Sequence, residues 1–329
     1  MALEAPAQPP DAGTAQVAAV VEPGSVASRP KAMRVVSADT TLWARLAAIW
    51  TSRELLIYLV RTEIKVKYKN SFLGLLWSML SPALALAVYT LVFGVFLRNG
   101  IPNFVIYLFA GLLLWNFFST AVLSSTGVVV ANAGLVKKVS FPREILALAA
   151  VGSAGVFLFF QSCVMVLFML VLRIVPAWHL LWLLVVALVP ALVFAAALGL
   201  FFAAVNVYLR DTQHLVTVIV GSAWFWACPI VYSYQETVAV HLKAHPELSW
   251  LYFLNPMSPL VMTFQRVLYN RTGLVHLTTV GSHPTQLLPS WPATTYLWAD
   301  AAVLGVSLAL FYLAMVVFGR LAGNFAEEL

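Results

Sequence analysis

Charged residues are scarce in this chain. Asp, Glu, Lys and Arg make up only 10% of its 329 residues, whereas 62% of the residues are hydrophobic. A soluble globular protein carries about 25% charged residues, and a single core could not hide so much apolar surface from water. The composition therefore excludes a soluble protein and predicts a chain that resides mainly in hydrocarbon.

Cysteine is almost absent, and so are clusters of metal ligands. The two cysteines, Cys163 and Cys228, each lie within an apolar run, which argues against a disulfide framework. His241 and His245 have a spacing that zinc ligands can have, but neither a neighbouring Glu nor a third ligand accompanies them. We therefore expect no metal site and no cofactor on this chain.

Long apolar runs are what the sequence does contain. Six of them almost lack charge, and they cover residues 72–97, 104–131, 145–172, 180–209, 215–232 and 301–319. A helix needs roughly 20 apolar residues to cross a bilayer, and the alternating pattern of porin strands is absent. Ala195, Gly199 and Ala203 have the small-xxx-small spacing that permits close helix packing. The sequence therefore predicts an all-α membrane protein with six transmembrane helices.

The apolar runs lack groups that could power transport. Proton- or sodium-driven transporters commonly keep carboxylates or histidines near the bilayer midplane, but Asp211, His214 and Asp300 all lie at run boundaries. The chain also has no GxxxxGK[ST] loop to hold a nucleotide. An ATP-driven function would therefore require a separate ATPase chain, which would carry the ATP and Mg.

The distribution of Lys and Arg predicts the orientation. Counted over alternate sides of the six runs, 14 Lys and Arg lie on the side of both termini and five on the other, namely Arg98, Arg173, Lys243, Arg266 and Arg271. Lys and Arg accumulate in cytoplasmic loops. We expect a multi-pass protein of the bacterial inner membrane with both termini in the cytoplasm. Because these charges flank membrane spans, we expect membrane lipids and no nucleic acid as partners.

The chain divides into three regions. Residues 1–52 are predicted to be a cytoplasmic, largely flexible tail, 53–70 an amphipathic interface helix, and 71–329 the six-span domain. Within that domain, 132–143 form a short basic cytoplasmic loop. Residues 233–296 are too polar to span as a whole and are broken by prolines, so short helices at the outer surface are expected there.

The interface helix carries a stripe of positive charge. Arg61, Lys65 and Lys69 are spaced four residues apart and would share one helical face. Lys67 falls off this stripe, and the alternation of lysines with apolar residues around it would also suit a strand. A lone strand would leave its backbone groups unpaired, so the helix is favoured.

Five segments together carry a resemblance to a known family. They are residues 61–98, residues 132–144 with a lysine pair before Phe-Pro-Arg-Glu, residues 228–232 (Cys-Pro-Ile-Val-Tyr), residues 254–257 (Leu-Asn-Pro-Met) and the ending 325–329 (Phe-Ala-Glu-Glu-Leu). In this order they resemble type-2 ABC transporter permeases. The resemblance is greatest to the branch that exports lipid-linked polysaccharides such as O-antigen, teichoic acid, capsule and cell-wall galactan.

This resemblance implies a function and a set of partners. The chain would be the permease subunit that moves a polyprenyl-pyrophosphate-linked glycan from the cytoplasm across the inner membrane for cell-envelope assembly. It would form a homodimer with two copies of a separate ABC ATPase, and it would not itself be an enzyme. The loop at 132–143 would contain the coupling helix that docks on the ATPase, and 233–296 would form extracytoplasmic gate helices.

Aromatic residues are the candidates for lining a glycan channel, because rings stack on the C–H faces of sugars. The candidates are Trp77, Tyr89, Phe93, Tyr107, Trp115, Phe117, Phe118, Trp224, Trp226 and Tyr232. The alternative for each ring is a place in an interfacial aromatic belt or in the core of the helix bundle.

Basic residues supply the other two candidate sites. Arg and Lys suit the pyrophosphate of the lipid carrier, and the candidates for it are Arg61, Lys65, Lys67 and Lys69. Ordinary binding of anionic headgroups would explain the same residues. The candidates for contact with the ATPase are Asn132, Lys137, Lys138, Phe141, Pro142 and Arg143. A plain topogenic loop is the alternative there.

Two other functions stay open at this stage. A type-2 ABC permease for a lipid or a drug would share most of these features. A membrane glycosyltransferase with a polyprenyl donor would want an acidic pair in an outer loop, where Glu236 and Glu247 are the only candidates before Asp300.

Overall fold

The computed structural model describes residues 41–67, 69, 74, 76–96, 101–240, 252–270, 274–276 and 284–329. These residues are almost entirely helical, which confirms the predicted fold class. One short antiparallel hairpin interrupts the helices, and in it Val275 pairs with Thr285. Most of the tail, Tyr68 and Asn70, and residues 241–251 with His241, His245 and Glu247 lie outside the described residues.

In chain order, the elements are α1 (Leu42–Thr51), α2 (Arg53–Lys67), α3 (Leu76–Tyr89) with a π-helical continuation (Thr90–Phe96), α4 (Phe104–Ala131), α5 (Ala133–Lys138), α6 (Glu144–Val171), a 3-10 turn (Trp178–Leu180), α7 (Leu181–Tyr208), α8 (Thr212–Val218), a π-helical turn (Ile219–Ala223), α9 (Trp224–Trp226), a π-helical turn (Tyr234–Ala239), α10 (Met257–Leu268), β1 (Leu274–His276), β2 (Pro284–Gln286), α11 (Ala293–Leu321), a 3-10 turn (Ala322–Asn324) and α12 (Phe325–Glu328).

Among the described residues, five helices are long and apolar enough to cross a membrane: α3 with its continuation, α4, α6, α7 with its preceding turn, and α11 with the turns that follow it. The helices α4, α6 and α7 have 28 residues each. At about 1.5 Å per residue each is about 42 Å long. Because the hydrocarbon core is only about 30 Å thick, these helices are tilted or extend into the headgroup layers.

The fifth predicted span, 215–232, is not one regular helix. The chain is helical from Thr212 to Trp226 and then turns through residues 227–233. Pro229 lacks a backbone N–H and restricts the residue before it, which accounts for the end of the helix. Segment 212–226 is about 22 Å long, so the six-span count stays a prediction.

The helix α4 forms the centre of the bundle. In its most apolar 18-residue stretch 78% of the residues are buried, against 6% in α3. A Cβ on Gly199 of α7 would lie 2.8 Å from Cβ of Ser125 on α4, so these two helices approach as closely as the small-residue spacing indicated. In contrast, most of the surface of α3 is exposed.

Two helices precede the first span. Residues 53–67 are helical, as predicted, and not a strand. The helix α1 lies in the segment that was predicted to be tail, and Leu42, Leu46 and Ile49 pack against the core at the end of the bundle where α5 lies. An amphipathic helix of this length has too few apolar residues to be recognised as a span.

Candidate translocation and coupling sites

Four of the candidate channel rings lie inside the subunit. Tyr107, Trp115, Phe117 and Phe118 on α4 are at most 4% exposed. The Tyr107 hydroxyl donates to the backbone carbonyl of Tyr232 at 2.7 Å. In this structure these four rings stabilise the core of the subunit and present no surface to a polysaccharide.

Trp224 has a partner that fixes its position. Its indole N–H donates to Oδ1 of Asn255 at 2.9 Å, and its ring centroid lies 5.4 Å from that of Phe118. The Nδ2 of Asn255 in turn donates to the carbonyl of Ala227 at 3.2 Å. Asn255 therefore joins the end of α9 to the segment that begins α10, a role that sequence reasoning missed.

Four of the five remaining candidate rings border an exposed surface, and the fifth, Tyr232, is half-buried and its hydroxyl donates to the carbonyl of Trp226 at 3.2 Å. Trp77 on α3 is 45% exposed and Trp226 is 55% exposed. Tyr89 and Phe93 are half-buried, and the ring centroid of Tyr89 lies 6.2 Å from that of Phe225. Tyr89 thus joins α3 to segment 212–226 through the buried Phe225. We call the exposed surfaces of α3 and of this segment together the open face.

Small and polar residues are exposed on the open face. Thr217 and Gly221 are spaced four residues apart on segment 212–226, after Gln213, which is half-buried and donates to the carbonyl of Leu123 on α4 at 3.5 Å. Thr217 and Gly221 are exposed, and a Cβ on Gly221 would meet nothing within 4 Å. Polar residues on membrane helices usually face a protein neighbour or a water-filled path. The open face is therefore suited to one of these environments.

The basic helix α2 lies along α6. A Cβ on Gly152 would lie 3.0 Å from Val60, and Nζ of Lys67 lies 4.2 Å from the ring centroid of Phe157. Burial lowers the pKa of Lys67 and raises the pKa of Glu63, one turn earlier. Lys67 is thus engaged within the subunit by a cation–π contact.

The other three basic residues of this set, Arg61, Lys65 and Lys69, are exposed, as Lys67 is in spite of its contact with Phe157. They remain accessible to an anionic headgroup or to a pyrophosphate.

The predicted coupling loop contains the short helix α5. Val136 on one side of α5 is buried, whereas Lys137 and Lys138 are exposed. The Nδ2 of Asn132 donates to the carbonyl of Val128 at 2.8 Å and closes the last turn of α4. This arrangement presents two positive charges from a helix that is anchored by its apolar side.

The last three residues of the coupling set point back into the subunit. Phe141 packs against the cluster around Val136, and Pro142 precedes α6. The Arg143 guanidinium donates to the carbonyl of Ala322 and lies 5.8 Å from the ring centroid of Phe325. Burial lowers the pKa of Arg143. Arg143 therefore holds the C-terminal segment and is not displayed beside the two lysines.

A second arginine ties α1 to the same end of the bundle. Nη1 of Arg45 lies 3.6 Å from Oε1 of Glu144 and donates to the carbonyl of Met315 at 3.1 Å. A Cβ on Gly319 would overlap the guanidinium, so a larger residue there would displace Arg45. Apart from their opposite charges, nothing in the sequence indicates that Arg45 and Glu144 are neighbours, so this contact could not be predicted.

Polar contacts hold α10 at the opposite end of the bundle. Nε2 of Gln265 donates to the carbonyl of Pro229 at 2.9 Å, and the Tyr269 hydroxyl donates to the carbonyl of Pro102 at 2.6 Å. The Thr263 hydroxyl donates to the buried Asp300 carboxylate at 3.1 Å. In the described part of the chain, no group of three or more His, Cys, Asp or Glu could hold a metal ion.

Comparison with known proteins agrees with this architecture. The sequence profile described as ABC-2 type transporter matches residues 54–269, which run from α2 to the end of α10. An O-antigen export system permease protein RfbA from Myxococcus xanthus is 36% identical over 228 residues, covering 67% of this chain and 82% of the relative. A protein of the same name from Klebsiella pneumoniae is 28% identical over 220 residues, covering 67% and 82%.

Both the length of the matched segment and the identity to these relatives exceed what chance similarity gives. The five apolar helices are those of a multi-pass transporter subunit. This chain therefore belongs to the ABC-2 type transporter membrane family.

Proposed function

We propose that this chain is the permease subunit of an ABC exporter that moves a lipid-linked polysaccharide from the cytoplasm across the bacterial inner membrane. Three relatives named as O-antigen export permeases, at 27–36% identity, support the substrate class. Family membership disfavours the glycosyltransferase, and the relatives favour a glycan over a drug as the cargo.

The observation that carries the proposal is the open face. Segment 212–226 exposes Trp226 together with the small and polar residues Thr217 and Gly221, and α3 exposes Trp77, within an otherwise apolar part of the chain. Two copies that meet through this face would enclose a path with rings for sugar stacking and polar atoms for hydroxyls. Trp77, Trp226, Tyr89 and Phe93 are the candidate residues that can reach such a path.

The cytoplasmic and outer ends of the molecule would have different functions. Both termini would lie in the cytoplasm, where Lys137 and Lys138 on α5 would contact one of two separate ATPase subunits that bind ATP and Mg. Arg61, Lys65 and Lys69 on α2 would receive the carrier pyrophosphate at the inner surface. The helix α10 and its neighbours would form the gate at the outer mouth.

A cross-linking experiment tests the dimer. In a Cys163→Ser background, which removes the exposed native cysteine, Thr217→Cys in membranes with the partner ATPase should give a disulfide-linked dimer on mild oxidation. Leu170→Cys, which is 70% exposed on α6 away from the open face, is the matched control and should stay monomeric. Cross-linking at Leu170 but not at Thr217 would contradict a channel built on the open face.

A cellular experiment tests the cargo. Deletion of the gene should leave polyprenyl-linked glycan accumulated inside the cell and absent from the surface, and the wild-type chain should restore export. Normal surface glycan in the deletion strain, together with loss of resistance to a drug or a change in lipid composition, would favour the alternative substrate class.

A further inference from the structure

An apolar groove on the side of α6 and α7 has no role in the export path proposed above. Its volume is ≈ 680 Å³, a size typical of pockets that hold one ligand of moderate size. Leu113 of α4 and Met165 of α6 form part of its floor and are buried, whereas Val166 and Val185 on its sides are exposed. The hydroxyl of Ser162, which also lines the groove, is used within α6 by a bond to the carbonyl of Leu158.

A single positive charge lies at one end of this groove. Arg173 lines it, and its side chain is exposed. It follows α6 and has a φ of 52°, so the chain turns there. Among the described residues that line the groove, Arg173 is the charged one.

The depth of Arg173 matches that of a lipid headgroup. The helix α6 is about 42 Å long, close to the thickness of a bilayer with its headgroup layers. Arg173, beyond its last residue, therefore lies in the headgroup layer opposite α5, and the groove extends from it toward the acyl chains. Trp178 nearby is 68% exposed, as tryptophans of an interfacial belt are.

We propose that the groove binds one anionic phospholipid of the leaflet opposite α5, with an acyl chain between α6 and α7 and the phosphate at the Arg173 guanidinium. The apolar groove would accept an acyl chain of any lipid, but the positive charge of Arg173 at its end favours an anionic headgroup.

This lipid would contact α10. Phe264 and Leu268 of α10 line the groove, and the backbone N–H of Ala177, in the turn after Arg173, donates to the carbonyl of Val267 at 2.9 Å. A lipid in the groove would contact α10 from the membrane side, while Gln265 bonds α10 to Pro229 inside the subunit. Anionic lipid would thus stabilise the position of α10.

Photolabelling of the full chain with its partner ATPase in nanodiscs tests the site. The probe is phosphatidylglycerol with a diazirine on one acyl chain, and the labelled peptides are mapped by mass spectrometry. We expect label on the facing peptides of α6, α7 and α10. Arg173→Gln should lower it about fivefold, equivalent to about 1 kcal/mol for one basic residue near a lipid surface.

Three variants complete the experiment. Arg173→Lys keeps the charge and should retain most of the label, and Arg210→Gln, at an exposed arginine after α7, should change nothing. Ser162→Trp fills the groove with Arg173 in place and should block labelling. A thermal melt of each variant verifies that it is folded.

The proposal is overturned if a phosphatidylcholine probe labels the same peptides equally, or if Arg173→Gln leaves the phosphatidylglycerol label unchanged. It is also overturned if polyprenyl pyrophosphate, but not unlabelled phosphatidylglycerol, displaces the probe, because the site would then serve the cargo lipid. Each result concerns binding alone and leaves the proposed export function standing.

Discussion

The guanidinium of Arg143 lies 5.8 Å from the ring centroid of Phe325, so the residue that precedes α6 holds the last helix of the chain. Phe325 is fully buried, and the Tyr208 hydroxyl donates to the carbonyl of Leu321 at 2.8 Å beside it. Phe325 also belongs to the buried cluster that contains Val136 of α5, so the C-terminal segment packs against α5, the start of α6 and the end of α7. Residues 325–329, which follow the last 3-10 turn, thereby support α5, the proposed coupling helix.

Loss of the Phe325 ring should loosen α5. We expect Phe325→Ala to lower the free energy of unfolding by about 3–5 kcal/mol, because it leaves a cavity at a fully buried site. It should also weaken stimulation of the partner ATPase by the permease. Thermal melts and ATPase assays measure the two effects. Glu328→Gln, on the exposed side of α12, is the control, and an equal effect there would contradict the assigned packing.

The exposed lysines of α5 should matter for assembly and not for folding. Lys137→Glu with Lys138→Glu should prevent copurification of the ATPase while the melting temperature changes little, because both side chains are exposed. The double replacement by arginine should preserve assembly, and binding should weaken as salt rises. Assembly that survives the charge reversal would refute a docking role for these lysines.

Exposed and buried tryptophans should respond differently to truncation. Trp226→Ala should reduce glycan export with little change in stability, whereas Trp115→Ala should cost about 3–5 kcal/mol because its ring is buried in the core. Trp298→Ala is the control, since Trp298 is 74% exposed but lies on α11 and outside the open face. Normal export by a folded Trp226→Ala variant would count against a channel along the open face.

Close packing of α4 and α7 should make Gly199 intolerant of a side chain. Gly199→Val should lower the free energy of unfolding by about 1–3 kcal/mol or prevent folding, because even a Cβ would meet Ser125 at 2.8 Å. At Gly155 of α6 a Cβ would meet nothing within 4 Å, so Gly155→Val is the matched control. Similar losses at both positions would show that the α4–α7 contact is not the cause.

A substitution at Asp300 distinguishes ATP-driven transport from ion-driven transport. Asp300→Asn can still accept the hydrogen bond from Thr263 but cannot exchange a proton. We expect a folded Asp300→Asn variant to export glycan at close to the normal rate. Loss of export by this variant, with an unchanged melting curve, would indicate that a coupling ion is bound there.

Sequence reasoning was accurate where composition alone determines structure. The bounds of α4 and α6 lie within a residue or two of those predicted, because each is a continuous apolar run ended by Asn132 or by the turn at Arg173. The helical form of α2 and the close approach at Gly199 also followed from residue spacing. In each case the signal is local to a few turns of helix.

The remaining features depend on contacts between distant segments. The helix α11 begins at Ala293, eight residues before the predicted run, because polar residues such as Asp300 are satisfied by α10. The helix of the fifth run ends after Trp226, where Asn255 donates to the carbonyl of Ala227, which a longer helix would have bonded internally. The burial of Tyr107 and the inward position of Arg143 likewise require knowledge of which helices are neighbours.

Reconstitution tests most directly the claim that ATP hydrolysis by a partner chain drives export. Proteoliposomes that contain this chain with or without its partner ATPase should be loaded with polyprenyl-linked glycan, and the glycan moved across the bilayer should be measured with ATP or with an imposed proton or sodium gradient. We expect glycan to move only when the ATPase and ATP are both present. Movement driven by an ion gradient through this chain alone would contradict it.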